Sequence, residues 1–110
     1  MKKKKYKGIA CTKRTLSKCS GVCRTFGTLE TKYADLLNIR DDVESFQTNV
    51  AISGEYMTDF VIQMEDGTIS IRECVIREHL TKPATIKLLD ISKDYWYGRG
   101  IKDWGIVTNG

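Results

Sequence analysis

Asp66-Gly67 lies between two strand-like runs, Tyr56 to Met64 and Ile69 to Ile76, and it constrains the chain more than any other short feature. Both residues tolerate positive φ, so the dipeptide predicts a tight antiparallel hairpin. Alternation then puts Ile69, Ile71, Glu73 and Val75 on one side of the second strand. Met57, Asp59, Val61 and Gln63 share a side of the first. Both faces are mostly apolar, yet each carries one carboxylate. A buried acid is costly unless it is paired, hydrogen-bonded or bound to a metal. Two acids on neighbouring strands suggest a cation holder, and hard oxygen donors favour Mg²⁺ or Mn²⁺ over zinc. The bland reading is ordinary ion pairing of Asp59 and Glu73 with Arg72, Arg77 or a lysine.

The pattern on either side of the hairpin predicts an α/β domain. Leu29, Tyr33, Leu36 and Leu37 make one apolar helical stripe over 28–38, with Thr28 as N-cap and Asn38 closing the helix. Glu30 lies beside that stripe, because positions 30, 33 and 37 share a face. Asp41, Asp42 and Glu44 read as a solvated turn, and Val50-Ala51-Ile52 as a strand that Gly54 breaks. Pro83 suits a first helical turn, after which Ala84, Leu88, Ile91 and Tyr95 form a second stripe, with Leu89 and Trp96 beside it. Trp104 to Thr108 is a closing strand. The predicted order is α-β-β-β-α-β, a mixed central sheet flanked by helices, with the third strand internal and the last strand parallel to it.

A chain of 110 residues is one domain's worth, and no apolar run approaches the ~18 residues of a spanning helix. Its charge is uneven. Lys2, Lys3, Lys4, Lys5, Lys7, Lys13, Arg14, Lys18 and Arg24 fall within residues 1–24, which hold no acid. We therefore divide the chain into a basic, cysteine-containing arm, 1–25, and a core domain, 26–110. A concentrated basic arm suits a polyanion, most often nucleic acid; the bland reading is a solvated tail. Met1 and the following lysines have no apolar segment behind them, so they do not read as a secretory signal. Reduced thiols and a cytoplasmic location are the corresponding expectations. Cys11, Cys19 and Cys23 supply three of the four ligands that a Zn²⁺ site needs, and Cys74 or His79 would have to complete it. Small, partly buried thiols are the simpler reading.

An acid on a first helix, an acid in each strand of a hairpin, then a helix and a strand: this order resembles the restriction-endonuclease-like (PD-(D/E)xK) nuclease core. More narrowly, it is similar to the N-terminal nuclease domain of TnsA-type transposase endonuclease subunits. The matching stretches are Gly27-Thr28-Leu29-Glu30, Tyr56-Met57-Thr58-Asp59-Phe60 and Asp66-Gly67-Thr68-Ile69-Ser70-Ile71-Arg72-Glu73. Leu88 to Trp96 and Gly100 to Thr108 resemble the family's second helix and last strand, so the likeness covers about residues 26–109. It implies a Mg²⁺- or Mn²⁺-dependent endodeoxyribonuclease. Asp59 and Glu73 would be the main metal ligands, joined by Glu30 and the backbone carbonyl of Cys74. It also implies DNA as substrate, together with the transposase and regulator subunits of a mobile element. In the family, a further C-terminal domain binds that regulator.

The sequence departs from the family at the motif lysine, two positions after the second acid, where Val75 stands. Arg77, one step along the same strand face, or Lys82 or Lys87 near the following helix, could supply the missing charge. An arginine there would act electrostatically, because it is a poor proton acceptor. Arg72, Arg77, Lys82, Lys87 and the arm would meet the phosphates. The alternative is a non-catalytic DNA-binding or assembly module that keeps the fold. A weaker third reading makes the cysteine segment a zinc-stabilised knuckle. Trp96, Tyr95, Tyr97 and Trp104 read as packing, and His79 as a surface loop residue.

Overall fold

The computed structural model describes residues 11–52, 54 and 56–109. Lys2, Lys3, Lys4, Lys5 and Lys7, named above as DNA contacts, lie outside them. In chain order come β1 (Cys11–Arg14), β2 (Cys23–Phe26), α1 (Gly27–Ile39), β3 (Val43–Ala51), β4 (Met57–Met64) and β5 (Ile69–Cys74). A short 3-10 turn (Arg77–His79), α2 (Pro83–Gly98) and β6 (Asp103–Val107) follow. Strands β3-β4-β5-β6 form one mixed sheet, antiparallel except for the parallel β5–β6 pair. From Gly27 onward this is the predicted α-β-β-β-α-β order, with β5 internal. The domain is a small α/β globule.

Neighbouring residues on β5 show how the layers are arranged. Cys74 packs into a core with Ala34 and Leu37 of α1 and Val43, Phe46, Phe60 and Ile62 of the sheet. Glu73, one residue back, meets Ser92 of α2 instead. Since adjacent strand residues point to opposite faces, the two helices cover opposite sides of the sheet. Tyr33 of α1 meets Phe60 edge to face, with ring centroids 5.1 Å apart. Such a pair adds roughly 0.5–1.5 kcal/mol beyond its buried area.

Several local expectations need correction. The hairpin turn is not a two-residue Asp-Gly turn. Only Gly67 has positive φ (90°), and Asp66 uses its Oδ1 to accept the backbone N–H of Thr68 at 2.9 Å and its hydroxyl at 2.6 Å. Side-chain capture replaces the left-handed backbone expected at Asp66. Helix α1 starts at Gly27 after an uncapped Phe26, not from Thr28. Asn38 lies inside it, its side chain accepting the Lys18 N–H at 2.9 Å. Leu36 is 45% exposed, and the inward face of α1 is Glu30, Ala34 and Leu37. On α2 the buried residues are Ser92 and Trp96, while Ala84 and Ile91 face outward.

Strand β3 begins at Val43, so Glu44 is an exposed strand residue and not part of a turn. A register shift between Val43 and Ser45 lets Val43 and Phe46 both reach the core. That bulge hides the alternation a sequence reader looks for. The division expected after residue 25 runs through β2, whose Cys23 and Thr25 are fully buried. Strands β1 and β2 form a separate antiparallel pair, and the loop between them adds to the outer edge of β3. There Ser20 donates to the Phe46 carbonyl and Phe46 donates to the Lys18 carbonyl, both at 2.9 Å.

Candidate functional site

The β4–β5 register pairs Phe60 with Arg72 and Val61 with Ile71, so one step further Asp59 stands opposite Glu73. Each acid is held by the strand that carries the other. The backbone N–H of Asp59 donates to Glu73 Oε1 at 3.1 Å. The backbone N–H of Cys74 donates to Asp59 Oδ2 at 2.9 Å. Both residues are at most 1% exposed. Hydrogen bonds from backbone N–H groups favour the charged form of a carboxylate, while burial beside a second carboxylate opposes it.

Helix α2 and strand β6 complete the surroundings of Glu73. Ser92 Oγ donates to Glu73 Oε2 at 2.7 Å, and the Trp104 indole N–H donates to Ser92 Oγ at 2.9 Å. Tyr56 contributes its hydroxyl to the same group, in hydrogen-bond contact with Glu73 and Ser92. Burial, reinforced by the charges of Glu73 and Asp59, pushes the Tyr56 hydroxyl far above its ordinary range, so it stays protonated. Trp96 anchors α2 nearby, its indole N–H donating to Thr58 Oγ1 at 2.9 Å. None of Tyr56, Thr58, Ser92 or Trp104 was expected at the site. Ser92 left a legible trace: it is four residues before Trp96 and four after Leu88, a polar residue on a buried helical face.

Glu30 belongs to a neighbouring feature. It is buried in the first turn of α1, and its Oε1 accepts the backbone N–H of Phe26 at 3.0 Å. A cleft of about 590 Å³ opens beside it, with Glu30, Tyr56, Cys74 and Val75 in its wall. The cleft's other charged or titratable lining residues are Lys32 and His79, while Leu88 and Leu89 supply apolar wall. Tyr56 touches both features, lining the cleft and bonding to Glu73. Arg77, Lys82 and Lys87, the candidates to replace the motif lysine, are exposed and do not line the cleft. Lys32 is the lysine on its wall.

The basic residues expected to meet phosphate fall into two groups. Lys13, Arg24, Arg77, Lys82 and Lys87 are exposed. Three others have structural partners. Arg14 pairs with Asp35 at 2.6 Å, Lys18 donates to the Arg40 carbonyl, and Arg72 pairs with Asp103 at 2.9 Å. Arg72 lies across β6 over Gly105, its register partner there.

The cysteines divide similarly. Cys11 is exposed, whereas Cys19, Cys23 and Cys74 are buried free thiols. Cys19 and Cys23 are neighbours, and burial followed by that neighbour pushes the Cys19 thiol up to about 12. Among the described residues, no cluster of His, Cys, Asp or Glu has three members placed to hold one metal ion. Glu30 lines the cleft beside the acid pair, its Oε1 holding the Phe26 N–H. Two carboxylates suit Mg²⁺, which characteristically binds through one or two carboxylates plus waters and substrate phosphate. Oxygen donors alone suit that ion better than zinc, whose sites favour Cys and His. No helix among the described residues is long and apolar enough to cross a membrane. No family model matches the chain, and no curated protein is significantly similar to it.

Proposed function

We propose that this domain is a metal-dependent DNA endonuclease of the restriction-endonuclease-like type, similar to the TnsA subunit of a heteromeric transposase. The observation that carries the reading is the facing pair Asp59 and Glu73, two buried carboxylates fixed across one hairpin. Asp59 and Glu73 would hold Mg²⁺ or Mn²⁺, with the carbonyl of Cys74 beside them. A bound divalent ion lowers the pKa of water and offsets charge on a phosphate under attack. Glu30, lining the cleft, would orient water from the first turn of α1. Lys32 is on the same wall, which Arg77, Lys82 and Lys87 do not line, and would supply positive charge there. Exposed Lys13 and Arg24 would track the DNA backbone. Transposase and regulator subunits of a mobile element are the partners that accompany this reading.

Calorimetry with Mn²⁺ and Mg²⁺ tests it, comparing the wild type with Asp59→Ala and Glu73→Ala. Binding in the wild type that vanishes in both variants is the expected result. No binding at millimolar metal, with DNA present or absent, would overturn it. One observation favours a second reading, a non-catalytic DNA-binding or assembly module: Val75 occupies the motif-lysine position and lines the cleft. Salt-sensitive DNA binding with no metal dependence would identify the module.

A further inference from the structure

We propose that Ser92 is a positioning residue that locks the Glu73 carboxylate against Asp59, and that the Trp104 indole sets the direction of its hydroxyl. Serine has one O–H proton and lone pairs to accept with, whereas the indole N–H only donates. With Trp104 donating to Ser92 Oγ at 2.9 Å, the single serine proton is directed to Glu73 Oε2 at 2.7 Å. The other oxygen, Oε1, takes the Asp59 N–H at 3.1 Å. Glu73 is thus gripped at both oxygens, from α2 on one side and β4 on the other, with the Tyr56 hydroxyl beside the same group. That fixes the carboxylate plane as well as its location.

Packing alone does not call for a serine here. Ser92 is 0% exposed on an otherwise apolar helical surface that includes Leu88, Leu89 and Trp96. Alanine would fill the space without burying a hydroxyl, which is unfavourable unless that hydroxyl is hydrogen-bonded. The hydroxyl answers to Glu73. Donors in series also polarise one another, so the indole strengthens the serine's bond to the carboxylate. The functional consequence rests on the metal-site reading: partners that orient a metal's ligands typically contribute 10–100-fold in affinity.

The test uses the whole chain with Ser92→Ala, Ser92→Thr and Trp104→Phe, and two readouts. In metal-free protein, the NMR shift of the Asp59 amide proton reports the bond to Glu73 Oε1. Ser92→Ala should move it, Trp104→Phe should move it less, and Ser92→Thr should return it toward the wild-type position. With Mn²⁺, calorimetry should show Ser92→Ala binding roughly tenfold more weakly. An Asp59 amide that stays in place in Ser92→Ala overturns the inference, whatever happens with metal. If the wild type binds no Mn²⁺ but the amide moves, the nuclease reading falls and the positioning stands. Should Ser92→Ala fail to fold, the Asp59 amide in Trp104→Phe decides: movement supports the inference and no movement overturns it.

Discussion

Asn49 on β3 stands opposite Asp59 on β4, and the ladder between the two strands is interrupted at that pair. The register joins Thr48 with Phe60 and Val50 with Thr58, skipping the step between them. Asn49 is the only non-glycine among the described residues with positive φ, at 55°. Its side-chain amide donates instead to the Arg24 carbonyl at 2.7 Å, tying β3 to β2. Asp59 is thus flanked by Glu73 on one side and by a left-handed backbone kink on the other.

The kink gives a stability prediction. Asn49→Gly should be tolerated in backbone terms while losing the side-chain bond to the Arg24 carbonyl. Asn49→Val places a β-branched residue in left-handed backbone and should cost about 1–2 kcal/mol more than the glycine variant. Urea midpoints of the two variants, with equal slopes, check the difference.

Metal should stabilise the fold as well as bind to it. At a free concentration near 100 times Kd, Mg²⁺ should add about 2.7 kcal/mol. Thermal melts in Mg²⁺ and in chelator should therefore separate by several degrees for the wild type and coincide for Asp59→Ala and Glu73→Ala. Coincident wild-type melts would contradict the metal site.

Alkaline pH should weaken the domain through the thiol pair. The folded state keeps Cys19 protonated up to about 12, against 9.0 for an unperturbed thiol, and Cys23 is raised in the same direction by burial. Folded pKa values above the unfolded value mean that the unfolded state loses protons first. Their contribution is complete below pH ~9 and declines as pH rises toward ~12. Tyr33 and Tyr56, raised from 10.0, add the same trend at higher pH. Replacing both Cys19 and Cys23 with alanine should flatten the decline between pH 9 and 10, read from urea midpoints. At neutral pH, a thiol reagent should label exposed Cys11 quickly and the three buried cysteines only on unfolding.

Trp96→Phe should destabilise by about 1–3 kcal/mol. It removes the donor to buried Thr58 Oγ1 and leaves a small void beside the sheet. Combining it with Thr58→Val should recover part of the loss, because the unpaired hydroxyl then disappears. A double-mutant cycle measures the recovered part.

How much of this was legible depended on whether a residue's role was local. The hairpin, its two acids and the parallel last strand followed from turn chemistry, alternation and crossover connectivity, which act over short spans or obey fixed rules. The helix faces were harder. Leu36 reads as core by spacing but is 45% exposed, while Ser92 reads as surface by polarity but is fully buried. In both cases the partner decided. Leu36 meets no opposing layer that buries it, and Ser92 meets Glu73. Residues 11–26 reached the core without announcing it, because Cys19 and Cys23 pack as small hydrophobes and the bulge in β3 masks its pattern. Glu30 was placed beside the hairpin by helical position, but its bond to the Phe26 N–H depends on how β2 enters the helix, which spacing alone does not reveal.

The parallel β5–β6 pair also bears on how the chain comes off the ribosome. Ser70 and Asp103 are 33 residues apart and bond through Ser70 Oγ to Asp103 Oδ2 at 2.5 Å. The acid hairpin can close soon after Cys74 emerges, because its contacts are local and fast to form. Ser92 and Trp104 arrive later. Until they do, a nascent chain carries Asp59 and Glu73 together without the hydroxyl and indole that will enclose them. The two acids of the hairpin are therefore enclosed only once helix α2 and strand β6, which follow them in the chain, have docked.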